Sequence, residues 1–350
     1  MASKTTLHIA SLDGIRALAA LTVFAAHAGL DLVPGGFGVT IFFFLSGYLI
    51  TTLLRLEHAE HGTISLGRFY LRRAYRILPP MYLTLGIAAG IALWQGTMAK
   101  VTAGAVVAQL LQATNYYTIA FGEQHQVPYT GVMWSLSVEE HYYLLFPLAL
   151  LALLVRFERR QIGWILSAGC VLVLLWRCCL TFLLHVSSDY TYISTDARFD
   201  SILFGCIMAI GFNPALDHGP GLTPRQWALA LAAGGALLVG SLLYRDESFR
   251  DTLRYSVQGI ALLPVFYCAI RYATWPVFRW LQWRAVRGLG LISYTFYLIH
   301  YKALDLAAGL LGSEGLARAC LAFVMAIAFS WGMYVLVERR CAELRRQLHG

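Results

Sequence analysis

Charge is scarce in this chain. Of its 350 residues, 13% are Asp, Glu, Lys or Arg and 58% are hydrophobic. A soluble globular domain carries about 25% charge, so that class is excluded and an integral membrane protein is expected. The apolar runs suit an all-α bundle of membrane helices, not a barrel. Paired cysteines are missing too. Six of the seven cysteines fall inside apolar runs, Cys341 sits in the basic tail, and no C-x-x-C occurs. That excludes a disulfide framework and a thiolate metal site; no metal is expected, and the thiols are read as small packing groups. The first apolar segment lacks a basic leader stretch and an A-x-A cleavage site, so it is expected to be a retained span. No internal repeat or low-complexity linker interrupts the chain. Residues 1–350 are read as one membrane-embedded domain, with spans over about 12–337 and a short basic tail at 338–350.

About ten segments are long and apolar enough to span: 12–30, 36–55, 78–96, 132–155, 162–185, 197–212, 226–243, 253–273, 288–311 and 315–337. Segment 101–121 is apolar but carries Gln109, Gln112 and Asn115, and reads as re-entrant or interfacial instead of an eleventh span. The net charge is +8, nearly all the cations being arginine. Arginines cluster in 55–77, 156–161, 271–287 and the tail. These fall on one side of the membrane if both termini are cytoplasmic. The opposite loop 244–254 holds Arg245, Arg250 and Arg254, offset by Asp246, Glu247 and Asp251. Topology thus accounts for the positive charge, and without a soluble basic domain no nucleic-acid partner is expected.

The polar residues inside apolar segments are the candidates for chemistry, because such groups are costly to keep in a bilayer. Arg16 and His27 share one face of the first span, separated by roughly 16 Å along its axis. A neutral imidazole can act as a general base near neutral pH; the alternative is a packed histidine. Arg72, Arg73 and Arg76 cluster within one helical turn ahead of Pro79 and Pro80, which suit the start of the third span. Guanidinium groups so placed match phosphate oxygens, or anchor an interfacial helix on anionic lipid. Ser137 and Glu140 fit a capping box at the head of span four. The adjacent Glu139 and Glu140 at that entrance suit a hydroxyl-rich substrate. Asp196 and Asp200 flank Arg198 at the same side, as a polar site or as an ion-pair network. The glycines at 35, 36 and 38 read as close helix packing. Ser46 has no obvious activating base and is not nominated as a nucleophile. His300 in span nine reads as a packing or hydrogen-bonding residue.

Six segments in order along the chain resemble the acyltransferase-3 family of membrane O-acyltransferases. They are Leu12-Asp13-Gly14-Ile15-Arg16-Ala17 with His27, Phe43-Phe44-Leu45-Ser46-Gly47-Tyr48, Arg73-Ala74-Tyr75-Arg76-Ile77-Leu78-Pro79, Trp134-Ser135-Leu136-Ser137-Val138-Glu139-Glu140, Asp196-Ala197-Arg198-Phe199-Asp200, and Ile292 through His300. The resemblance implies transfer of an acyl group, usually acetyl, from cytoplasmic acyl-CoA to a hydroxyl, commonly of a cell-surface carbohydrate, in a bacterial inner membrane. It makes His27 the catalytic histidine and Arg73 and Arg76 the pair tied to the donor. Arg16 and Arg72 are expected to join them in holding acyl-CoA, a co-substrate and not a bound cofactor. Glu139, Glu140, Asp196, Arg198 and Asp200 are expected on the acceptor side, with Ser137 and His300 in support. The family's His-Trp-Pro ending of the last motif is His300-Tyr301-Lys302 in this chain, which leaves the acceptor open. A macrolide or other small molecule is the alternative acceptor, and a proton-coupled sugar or lipid transporter is the alternative of another class.

Overall fold

Hydrocarbon offers no hydrogen-bond partners, so a backbone crossing it must close its own bonds within a helix. The computed structural model describes residues 9–30, 32–219, 221–312 and 315–347, and the end of the basic tail, 348–350, lies outside them. The first half holds α1 (Ala10–His27), α2 (Gly35–His61), α3 (Leu66–Trp94), α4 (Ala103–Leu110), α5 (Thr114–Phe121), α6 (Met133–Arg156) and α7 (Arg159–Phe182). The second holds α8 (Ser188–Ile193), α9 (Thr195–Gly211), α10 (Pro224–Leu243), α11 (Glu247–Asp251), α12 (Leu253–Arg271), α13 (Pro276–Arg279), α14 (Arg284–Leu311), α15 (Leu316–Met333) and α16 (Arg339–Gln347), the last two joined by a π-turn. No strand occurs among the described residues.

Each of the expected spans falls on one of the long helices. Seven helices are long and apolar enough to cross a membrane: α2, α3, α6, α7, α10, α12, and α15 with its continuation. The other three carry the polar residues singled out above. α9 has only 17 residues. α1 carries Asp13 and Arg16, and α14 carries Arg284, Arg287, Lys302 and Asp305. They can be less apolar because they are clad by neighbours. α1 packs on α2 and α14, and α9 packs on α2, α7 and α12.

Glycine sets the closest of these crossings. A Cβ at Gly47 would overlap the Ile202 carbonyl, one at Gly205 the Phe44 carbonyl, and one at Gly38 would come within 2.6 Å of the Ala19 carbonyl. Gly38 at the head of α2 therefore serves close helix packing, as the sequence suggests, while Gly35 and Gly36 make room for the Ala26 and Tyr192 side chains. Segment 101–121 forms α4 and α5, eight residues each, too short to span. Its polar side chains are buried against the loop before α6 and the head of α9: Gln109 donates to Thr130 at 2.6 Å and Asn115 to Thr195 at 2.9 Å.

One helix start and one expected cap differ from expectation. α3 begins at Leu66 and runs through Pro79 and Pro80, which lie in its interior. Neighbouring helices and side chains let a membrane helix tolerate such prolines. The arginines before them thereby sit on a rigid helix instead of a loop. α6 begins at Met133, so Ser137 and Glu140 lie inside it and form no capping box. At one end of the bundle Asp217 joins Arg55 of α2 at 2.6 Å and Arg159 of α7 at 3.0 Å. At α3, the basic helix α16 packs against the arginine-bearing helix. The arginine clusters of α2, α7, α3 and the tail are thus held by short-range contacts, not by lipid alone.

Candidate active site

α1 presents Arg16 and His27 to two cavities. Arg16 lines a slot of 90 Å³ together with Ser46 of α2, Arg73 and Arg76 of α3, and Glu139, Glu140 and Tyr143 of α6. His27 lines a roomier cavity of 460 Å³ with Glu123, Trp134, Asp189, Tyr192 and Tyr301. Val39 and Tyr297 line both, so the two spaces abut across those side chains.

In the slot, the Arg16 guanidinium is steadied by Asp13 at 2.9 Å. Arg73 lies over the rings of Phe69 and Tyr143, at 5.9 and 5.7 Å. Ser46 donates to Glu139 at 2.9 Å, and the Tyr143 hydroxyl sits 3.2 Å from both. The fold thus gives Ser46 a carboxylate acceptor that the sequence does not reveal. Arg73 Nε and Glu140 Oε1 are buried without a hydrogen-bond partner. Native interiors seldom leave such atoms unmatched, and in a slot they are sites for a ligand's polar atoms.

In the larger cavity, His27 Nδ1 lies 2.8 Å from His300 Nε2, and the two rings are 9° from coplanar. His300 Nδ1 lies 2.6 Å from the Tyr297 carbonyl oxygen. A carbonyl only accepts, so His300 Nδ1 carries the proton and its Nε2 is the acceptor. His27 Nδ1 must then donate, and its Nε2 is left as a free lone pair. Tyr301 stacks on the His27 ring at 4.2 Å, which fixes its plane. The Tyr297 hydroxyl is held by Ser135 at 2.7 Å.

The remaining nominated residues are elsewhere. Glu139 and Glu140 line the arginine slot and not the histidine cavity. Arg72 points away from the slot and pairs with Glu57 at 2.7 Å, bracing α3 on α2. Asp196 binds Tyr116, Trp176 and Tyr190. Asp200 is fully buried in a two-pronged pair with Arg177, both contacts 2.7 Å, and takes Ser256 as well. Arg198 is fully buried too, donating to the Tyr192 carbonyl and Thr40 and lying 3.8 Å from the centre of the Tyr255 ring. No Asp196–Arg198–Asp200 cluster forms, because Arg177 takes Asp200. Asp196, Arg198 and Asp200 hold helices together and line neither cavity. Ser137 accepts from the Thr114 N–H at 3.1 Å and seats α5. Reasoning from sequence passed over Arg177, although a lone cation in an apolar run is the same signal that marks Arg16. It also missed Glu123, in the turn after α5, and Asp189, in the short helix α8, polar stretches where carboxylates are commonplace. No grouping of His, Cys, Asp and Glu fit for a metal ion occurs among the described residues.

The fold and its paired cavities define a multi-pass membrane protein with a site inside the helix bundle. A family model described as an acyltransferase domain matches residues 9–335, and the chain belongs to that acyltransferase family. The match is to an acyltransferase domain and not to a transporter. Among its relatives is a Staphylococcus aureus (strain COL) protein provisionally named an O-acetyltransferase, 29% identical over 319 residues, covering 86% of this chain and 52% of the relative. Peptidoglycan O-acetyltransferase OatA of Listeria monocytogenes is 27% identical over 317 residues, covering 85% and 50%. A Bacillus subtilis (strain 168) protein provisionally named a peptidoglycan O-acetyltransferase is 28% identical over 330 residues, covering 88% and 50%. The chain thus spans about half the length of the curated relatives it matches. No solved structure matches.

Proposed function

We propose that this protein moves an acetyl group from acetyl-CoA to a hydroxyl of a carbohydrate acceptor in a bacterial inner membrane. The donor's phosphates sit on Arg73 and Arg76 at the cytoplasmic side, where planar guanidinium groups match phosphate oxygens. A slot of 90 Å³ takes a thin chain and not a nucleotide, so the pantetheine arm enters while the nucleotide stays at the arginines. Arg16, Glu139 and Glu140 line its route. The thioester end reaches past Val39 and Tyr297 to the acceptor, which lies in the histidine cavity.

The observation that carries this reading is the chain from the Tyr297 carbonyl through His300 to His27. It leaves His27 Nε2 with a lone pair beside the acceptor. That nitrogen takes the hydroxyl proton as the oxygen attacks the thioester carbon. The carbon–sulfur bond then breaks, and the thiolate takes the proton from His27 to leave as CoA. Relatives named for peptidoglycan O-acetylation support a glycan as the acceptor.

The test is transfer of radiolabelled acetyl from acetyl-CoA to a soluble glycan by the purified chain in detergent. His27→Ala is expected to lower the rate by roughly 10² to 10⁴, the value of general base catalysis, with its elution and melting profile unchanged. Full activity in that variant would remove His27 from the chemistry. The double variant Arg73→Ala/Arg76→Ala is expected to weaken CoA binding by at least about tenfold, the worth of one charge-assisted hydrogen bond. An unchanged Kd by calorimetry would return both arginines to lipid anchoring.

A further inference from the structure

Two exposed carboxylates line the histidine cavity, Glu123 from the turn after α5 and Asp189 from α8, and neither lysine nor arginine lines it. Among the described residues no hydrogen bond or ion pair engages either carboxylate. The backbone is shaped to put Glu123 there. Gly122, with φ of +81°, turns the chain out of α5, and Gly131 packs its bare Cα against the carboxylate, where a Cβ would overlap Oε1. Partial desolvation by the cavity wall, and then the Asp189 carboxylate, push the Glu123 carboxyl above its ordinary value. A further anion would add to that repulsion, and an ammonium group would relieve it. One cation, Arg198, stands behind the wall. Arg198 lies 5.9 Å from the centre of the Trp134 ring and 5.7 Å from that of Tyr192, with its own bonds to Thr40 and a carbonyl. Trp134 and Tyr192, 5.0 Å apart, give the cavity aromatic faces. Unpartnered carboxylates accept hydrogen bonds from hydroxyl and ammonium groups and cannot donate to a carboxylate.

We propose that Glu123 and Asp189 make this cavity an acceptor subsite that admits neutral and amine-bearing glycans beside His27 and rejects anionic ones. The proposal rests on the reading of this cavity as the acceptor side. Its selectivity is a matter of exclusion: a like charge with no cation to meet it disfavours the wrong partner more than any contact favours the right one.

The full chain in lipid nanodiscs is offered three disaccharides of equal length, built from glucosamine, N-acetylglucosamine and galacturonic acid. Binding is followed by calorimetry and transfer by radiolabelled acetyl-CoA. The acidic disaccharide is expected to bind, and to react by kcat/KM, at least tenfold less well than the neutral one, with the amine-bearing one equal or better. Glu123→Gln/Asp189→Asn should close that gap to less than threefold, and each single substitution should narrow it. Equal treatment of acidic and neutral sugars by the natural chain overturns the proposal, as does a gap that survives in all three variants or a failure to bind any of the sugars. Binding in the expected charge order without transfer upholds the subsite and overturns the proposed reaction. Transfer without the charge order does the reverse.

Discussion

A neutral histidine donates from one ring nitrogen and accepts at the other, and its neighbours decide which is which. Tyr297 makes that choice for His300 through a carbonyl, and His300 makes it for His27 at 2.8 Å. In the proposed reaction His300 is thus a positioning residue. His300→Ala is expected to lower kcat on the order of 10²-fold, within the range of base catalysis, while the KM for acetyl-CoA holds. His300→Gln, whose amide can both donate and accept, should recover part of the loss. Rates unchanged in His300→Ala, or a loss seen only in KM, would sink the relay. Arg16 and His27 were legible in the sequence because a cation and an imidazole stand out in an apolar helix. The depth of Glu139 was not. The motif looks like a helix entrance, but α6 begins at Met133, which sets Glu139 about 9 Å further along the axis and in the arginine slot.

Between elements, the strongest polar tie is Arg177 of α7 with Asp200 of α9, both fully buried. A buried pair costs much desolvation, and removing one partner leaves the other charge uncompensated. Asp200→Asn is expected to destabilise the bundle by about 3–5 kcal/mol, read as a lower Tm in detergent. Replacing both with apolar groups of similar volume should cost far less. A single variant as stable as the natural chain would show the pair to be ornamental. The existence of α7 and α9 could be read from hydropathy, but their pairing could not. Asp200 lies four residues from Asp196 and two from Arg198, and local spacing pointed to Arg198. The tertiary fold supplied a better-placed guanidinium, Arg177, 23 residues upstream. The same limit explains α3: two consecutive prolines argue for a helix start, yet neighbouring contacts such as the Tyr294 hydroxyl on the Ile77 carbonyl, at 3.0 Å, carry the helix through them.

Across the whole molecule, the arrangement of helix ends depends on loops such as the one bearing Asp217. Burial acts to raise its carboxyl, but the Arg55 guanidinium, the Asn213 N–H and then Arg159 outweigh it and hold the group below the ordinary carboxylate range. Its contribution to stability is therefore full above the unfolded-state value of ~3.9 and is lost as the pH falls through the lower folded value. Asp217→Asn is expected to lower Tm at pH 7, and the difference from the natural chain should fade as the pH drops below ~3.9. A difference that stays constant down to the acid limit would show that the carboxylate's charge is not what matters. Ten helical segments and the gathering of arginines were open to reading from composition and hydropathy, since both follow from the bilayer as solvent. Which helices line a cavity was not, because that depends on rotation about each axis. The two cavities meet at Val39 and Tyr297, and that partition bears on the cell's energy supply. An energised membrane cannot carry a standing conduit without shorting its proton-motive force. In the proposed reaction only the thioester end of the donor passes between these two side chains, so a close fit there would let turnover proceed without a leak of protons.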